Sequence, residues 1–200
     1  MEMLLQITSV AGITAFISKY AYAAILFLMT LESASLPVPS EVVLPLIGYL
    51  AFKGTLNVYL GFAAAVIGSM AGIAIDYYIA YYLGKDVVYK HLKLFHIKEE
   101  SVRAFEEWFA KNGAFAVFVA RLLPVVRGLI SLPAGFAQMP QKKFFLYSLL
   151  GTLIWDTALI LFGYYALSTQ NVYLLFGSIA VFAVVLYALY LYFARKIRKR

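Results

Sequence analysis

Leu36-Pro37-Val38-Pro39-Ser40 interrupts an apolar segment, residues 21–52, that would otherwise read as one long helix. Its 32 residues would make a rod of about 48 Å at about 1.5 Å rise per residue, too long for one crossing of roughly 30 Å of hydrocarbon. They also fall short of the roughly 40 residues that two crossings need. The alternating prolines remove N–H donors, clash with the preceding turn and disfavour helix in the residue before each of them. One helix therefore stops near Leu36, and Ser40, a good N-terminal cap, opens a second that runs on through Val42, Leu46 and Leu50. The economical path is a re-entrant hairpin that turns at Pro37 and Pro39 and leaves on the side it entered.

A second segment behaves the same way. Residues 114–139 are apolar, too short for two crossings, and carry Pro124 and Pro133 with Gly128 and Gly135 beside them. Non-helical backbone at membrane depth survives only where protein or a water-filled cavity satisfies its polar groups, so both breaks should face an interior cavity. Residues 56–83, 144–167 and 172–193 are each long enough to be full spans. The chain as a whole is 64% hydrophobic and 14% charged, which excludes a soluble fold. The expected class is an all-α polytopic membrane protein, residues 1–200 forming a single transmembrane domain. Residues 1–19 have no basic leader or clear cleavage site; Met3, Ile7, Val10 and Ile17 recur at helical spacing, as in a retained helix lying at the membrane interface.

The net charge of +7 reads as topology. Of 17 Lys and Arg, 13 fall in residues 85–112, at Lys142 and Lys143, or in the tail at 194–200. Cytoplasmic regions retain basic residues, so these three regions and the C-terminus go on the cytoplasmic side of a cell membrane. The basic runs lack interleaved aromatic groove residues, which argues against a nucleic-acid partner. The connector 85–112 reads as an amphipathic surface helix. The first hairpin then enters from outside and the second from inside, each followed by a span with one acid, Asp76 or Asp156. That is the pattern of an inverted repeat, common in transporters whose broken helices meet near the midplane.

Six ionisable residues lie inside apolar sequence: Glu32, Glu41, Asp76, Arg121, Arg127 and Asp156. Each would cost about 2.5–3.5 kcal/mol at a lipid-exposed helix centre, so they must pair or sit in water. Glu32 and Glu41 bracket the first break, Arg121 and Arg127 the second, so opposed hairpins would bring two carboxylates towards two guanidiniums. Buried ion pairs can be purely architectural; placement at costly backbone breaks favours function. Asp76 and Asp156, on continuous helices, are as readily structural as functional, and Trp155 reads as packing. Gly68 and Gly72 make a small-xxx-small face for close helix packing. Cysteine is absent, and His91 and His96 both lie in the polar connector, so no thiolate, metal site or membrane-depth base suggests an enzyme or a cofactor.

Glu32-Ser-Ala-Ser-Leu-Pro37-Val-Pro39-Ser40-Glu41, then Gly68-x3-Gly72 with Asp76 and Gly84, resembles the DedA family of membrane proteins. Arg121-Leu-Leu-Pro124-Val-Val-Arg127, Ser131-Leu-Pro133-Ala-Gly135, Met139, Gly151 and Trp155 extend the likeness over about residues 20–170. The resemblance implies two opposed re-entrant hairpins, essential acids at Glu32 and Glu41, essential arginines at Arg121 and Arg127, and lipid transport. Bacterial relatives are linked to undecaprenyl phosphate recycling, to phosphatidylethanolamine movement and to the proton motive force; eukaryotic relatives scramble phospholipids. Many members have Gly where this chain has Ser40 and Val125.

The expected function is thus translocation of a phosphate-bearing lipid, as a flippase or scramblase. Arg121 and Arg127 would bind the phosphate, and Glu32, Glu41 and Asp76 would handle protons or gate. Membrane lipids and protons are the expected partners, with a homodimer permitted by the glycine-rich faces. Two rivals stand beside it: a proton-coupled transporter of small cations or drugs using the same acids, and a non-transporting scaffold for envelope assembly.

Overall fold

The computed structural model describes residues 10–91, 109, 112–124 and 126–165. The expected span at 172–193, the tail at 194–200, most of the connector 85–112, and Met3 and Ile7 of the N-terminal helix lie outside these residues. Every element among the described residues is helical. In chain order they are α1 (Val10–Ser33), α2 (Ser40–Phe52), α3 (Val58–His91), α4 (112–121), α5 (Val126–Leu129), α6 (Ser131–Phe136) and α7 (Gln141–Tyr165).

Two stretches, Val58–Leu83 within α3 and Gln141–Tyr165, are long and apolar enough to cross a membrane. The apolar span ends at Leu83, and α3 continues as helix through 84–91 into the start of the connector, because no proline stops it there. α2, at 13 residues, is only about 20 Å long.

The breaks have a common construction. α1 bends at Ala21 (φ 47°), where the predicted interfacial helix meets the first hairpin segment. It ends when Ser35 takes a left-handed conformation (φ 59°) and the Leu36 N–H reaches back 3.1 Å to the Leu31 carbonyl. The same closure recurs after α2, with Gly54 left-handed and Thr55 N–H donating to Leu50, and after α6, with Gln138 left-handed and Met139 N–H donating to Ala134. This is the Schellman arrangement, which uses otherwise orphaned carbonyls at a helix end. Pro37 and Pro39 lie in the first break and Pro124 in the turn between α4 and α5. Pro133 occupies the first turn of α6, just beyond the point where the helix divides between Leu129 and Ser131. The chain reverses after it, at residues 137–140.

α1 packs along α3 and α2 along α7, while α6 packs on α3, so the second arm of each broken segment lies against the long helix of the opposite half. Glycines permit these approaches. A Cβ on Gly68 or Gly72 would run into the α1 backbone at Leu26 or at Thr30–Ala34, which realises the expected small-residue face. Gly48 and Gly163 do the same for α2 and α7; a Cβ on Gly163 would come within 2.6 Å of the Pro45 Cα. Overpacking of this kind costs about 1–3 kcal/mol. Gly163→Ala is expected to lower the thermal midpoint of the purified protein by about 5 °C, at about 2–4 °C per kcal/mol; an unchanged melt would show that α2 and α7 are not held this tightly. Apolar side chains of α1, α2 and α7 fill one core, and Tyr77 stacked on Phe144 at 4.4 Å anchors a second beneath α6.

Candidate functional site

Arg127 stands at the centre. It lies on α5, immediately beyond the Pro124 turn, and is 2% exposed. Its Nε is 3.2 Å from Glu32 Oε1, and its Nη2 is 3.7 Å from Asp156 Oδ1. The guanidinium carbon sits 5.3 Å from the ring centroid of Trp155, a cation–π distance. One cation is therefore held by acids from both halves of the chain and by the residue adjoining one of them.

Glu32 occupies the last turn of α1, where the break ends the helix and aims its side chain inward. Its other oxygen, Oε2, accepts from the Ser33 hydroxyl at 2.8 Å. Asp156 is fully buried in the middle of α7. Thr152 and Ser148 precede it at four-residue intervals, so the three share one face, and all are 0% exposed. Neither hydroxyl and neither Asp156 oxygen has a hydrogen-bond partner among the described residues, and the same holds for Arg127 Nη1, Arg121 Nε and Ser40 Oγ. Donors and acceptors mixed along one seam are the setting that water satisfies.

Arg121, the last residue of α4, is 1% exposed and turns away from the acids. It donates to the Arg127 carbonyl and, through Nη2, to Ser131 Oγ at 2.7 Å. No carboxylate among the described residues lies within ion-pair distance of it. Gly151 of α7 makes room, since a Cβ there would meet the Arg121 Cβ at 2.5 Å. Arg121 thus clamps the second break from behind, fixing the backbone that carries Arg127.

Asp76 does not reach an arginine. It accepts a hydrogen bond from Ser35, whose hydroxyl also lies 3.2 Å from the Gly128 carbonyl. With one proton between two acceptors, Ser35 can satisfy one at a time. The residue ties the first break to both α3 and the second break. Glu41 is exposed in the first turn of α2 and makes no ion pair among the described residues. In place of two carboxylates against two guanidiniums, Glu32 and Asp156 both meet Arg127, Glu41 makes no ion pair among the described residues, and Arg121 faces backbone and hydroxyl.

A cavity of about 550 Å³ opens between the two breaks, lined by Glu32, Ser35, Pro37, Pro39, Glu41, Arg127 and Gly128 among others. Arg127 and Glu32 form its polar floor, and Glu41 stands at its rim. Ser35 and Ser131 lie within the sequence motifs without a role read from them, and the Thr152–Ser148 face lies outside those motifs. The available signal was small hydroxyl residues next to breaks or at four-residue spacing with a membrane-depth acid.

A domain model described as "VTT domain" matches residues 38–165. The "Undecaprenyl phosphate transporter A" of Staphylococcus aureus is 39% identical over 155 residues, covering 76% of each chain. The protein of that name from Bacillus subtilis is 34% identical over 154 residues, covering 77% of this chain and 76% of the relative. An "Alkaline phosphatase-like protein" of Lactococcus lactis is 34% identical over 151 residues, covering 73% of this chain and 71% of its own. No solved structure matches.

Proposed function

The chain belongs to the VTT-domain, or DedA, family, and from that membership we propose that it moves a phosphate-bearing lipid, such as undecaprenyl phosphate or a phospholipid, between the leaflets of the cell membrane. The family and the names of its relatives point to a membrane transporter rather than an enzyme. The observation that carries the reading to a phosphate is Arg127, a buried guanidinium on the floor of an open cavity whose pocket-side partner, Glu32, is a replaceable anion. Guanidinium binds phosphate through parallel N–H donors, a geometry that Lys lacks. In this reading the two breaks are the tips of re-entrant hairpins; α2 is too short to cross the hydrocarbon, which supports it. The lipid tail stays in the bilayer while the headgroup occupies the cavity.

Charge balance supports proton coupling. Among the described residues, Glu32, Asp76 and Asp156 are buried with Arg121 and Arg127 to oppose them, so this set, fully ionised, is one charge negative. An incoming phosphate adds at least one more, and like charges about 4 Å apart repel by about 4 kcal/mol at an effective dielectric of about 20. Glu32 taking up a proton as it leaves Arg127 removes that repulsion, and its deprotonation on the opposite side expels the phosphate. The basic residues at 85–112 and in the tail support a cytoplasmic C-terminus in this reading.

Reconstitution tests this. Vesicles containing the protein are expected to transfer labelled undecaprenyl phosphate or phospholipid at least about 10-fold faster than empty vesicles, and faster still with an imposed pH gradient. Transfer of neither lipid above the empty-vesicle rate would reject a transport function.

A further inference from the structure

Two carboxylates contact Arg127, and their surroundings differ. Glu32 lines the cavity beside the guanidinium and reaches it through Nε. Asp156 is fully buried, is absent from the cavity wall, and approaches Nη2 from α7. Its neighbour in sequence, Trp155, places a ring against the same guanidinium. α7 therefore supplies a charge beside the cation and an aromatic surface under it, while α1 supplies a charge from the pocket side.

These positions are not equivalent for an incoming anion. A phosphate entering the cavity meets Arg127 and Glu32, and can take the place of the Glu32 carboxylate. It does not meet Asp156, which stays behind the guanidinium. Resting on the phosphate-binding reading, we infer that Asp156 is a positioning residue for Arg127: with Trp155 it holds the guanidinium at the cavity floor while Glu32 and the lipid phosphate exchange on its pocket side. A guanidinium without that second hold would follow Glu32 or the departing phosphate, and the site would lose its fixed end. The two acids, although both paired with one arginine, thus have opposite effects on phosphate affinity: Glu32 competes with the phosphate, and Asp156 prepares its receptor.

That opposition is measurable on the purified, micelle-embedded full chain titrated with a fluorescent polyprenyl phosphate. Asp156→Asn is expected to raise the half-saturating concentration at least about 10-fold, and Glu32→Gln to lower it by about 3-fold or more. Merely architectural ion pairs would weaken binding in both variants, and two shifts in the same direction overturn the inference. A second readout does not depend on the Asp156 variant folding. The chain has two tryptophans, so a Trp108→Phe background, excited at the red edge where tyrosine does not absorb, leaves Trp155 as the emitter that is read. Arg127→Ala in that background gives the emission of Trp155 without its cation. Saturating lipid is expected to leave the emission at its lipid-free value, because the guanidinium stays on the ring; a shift to the Arg127→Ala value overturns the inference. Absence of saturable binding in the wild type, or equal binding by Arg127→Ala, would instead reject the phosphate-binding reading itself.

Discussion

Arg127→Ala is expected to reduce lipid transfer in reconstituted vesicles by at least about 100-fold. Two losses combine. The lipid phosphate loses its charge-assisted donors, and Glu32 and Asp156 are left buried with no cation among the described residues within ion-pair distance. Removing one partner of a buried pair costs about 3–5 kcal/mol, and 1.4 kcal/mol is a factor of about ten. Part of that cost falls on folding, so the thermal midpoint should drop as well. Arg127→Lys separates the two effects. It keeps the charge, and with it most of the stability, but offers a compact ammonium where a planar fork stood. Transfer by the lysine variant is expected to fall about 10-fold while the melt moves by only a few degrees. Wild-type transfer by either variant would remove Arg127 from the transport cycle.

Arg121→Met is expected to separate fold from function in the other direction. Methionine fills much of the arginine's volume beside Gly151 but removes the positive charge and both donors to Arg127 and Ser131. Because Arg121 has no carboxylate at ion-pair distance among the described residues, the variant breaks no direct ion pair, so the stability loss should be smaller than that of Arg127→Ala. The functional loss should still be large. Two unit charges about 8 Å apart attract by about 2 kcal/mol at an effective dielectric of about 20, worth about 30-fold in phosphate binding. Transfer is therefore expected to fall about 30-fold, and Arg121→Lys to recover part of it. A methionine variant that transfers at the wild-type rate would assign Arg121 to the architecture alone.

Much of this could be read before any coordinates. Pro37, Pro39 and Pro124 act through local sterics and missing donors, so their breaks appear where the sequence puts them. Gly68 and Gly72, four residues apart on one helix face, announced a close crossing, and α1 fills it. Pro133 falls in a first turn, and whether a turn is first depends on where the preceding helix ends. α3 runs on through Gly84 into the connector because glycine lowers helix propensity without forbidding a helix.

Composition, proline position and buried charge count determined by themselves that this is a membrane protein with two interrupted segments and a small set of ionisable residues inside. These are properties of single positions and of spacing along the chain. Which acid faces which arginine was decided only in three dimensions. Asp156 reaches Arg127, and Arg121 turns to Ser131, because the glycine-mediated crossings fix how far each helix slides and rotates against its neighbour. One residue of rotation, about 100° on a helix, exchanges an inward carboxylate such as Glu32 for an outward one such as Glu41, and nothing in the order of the residues records that angle.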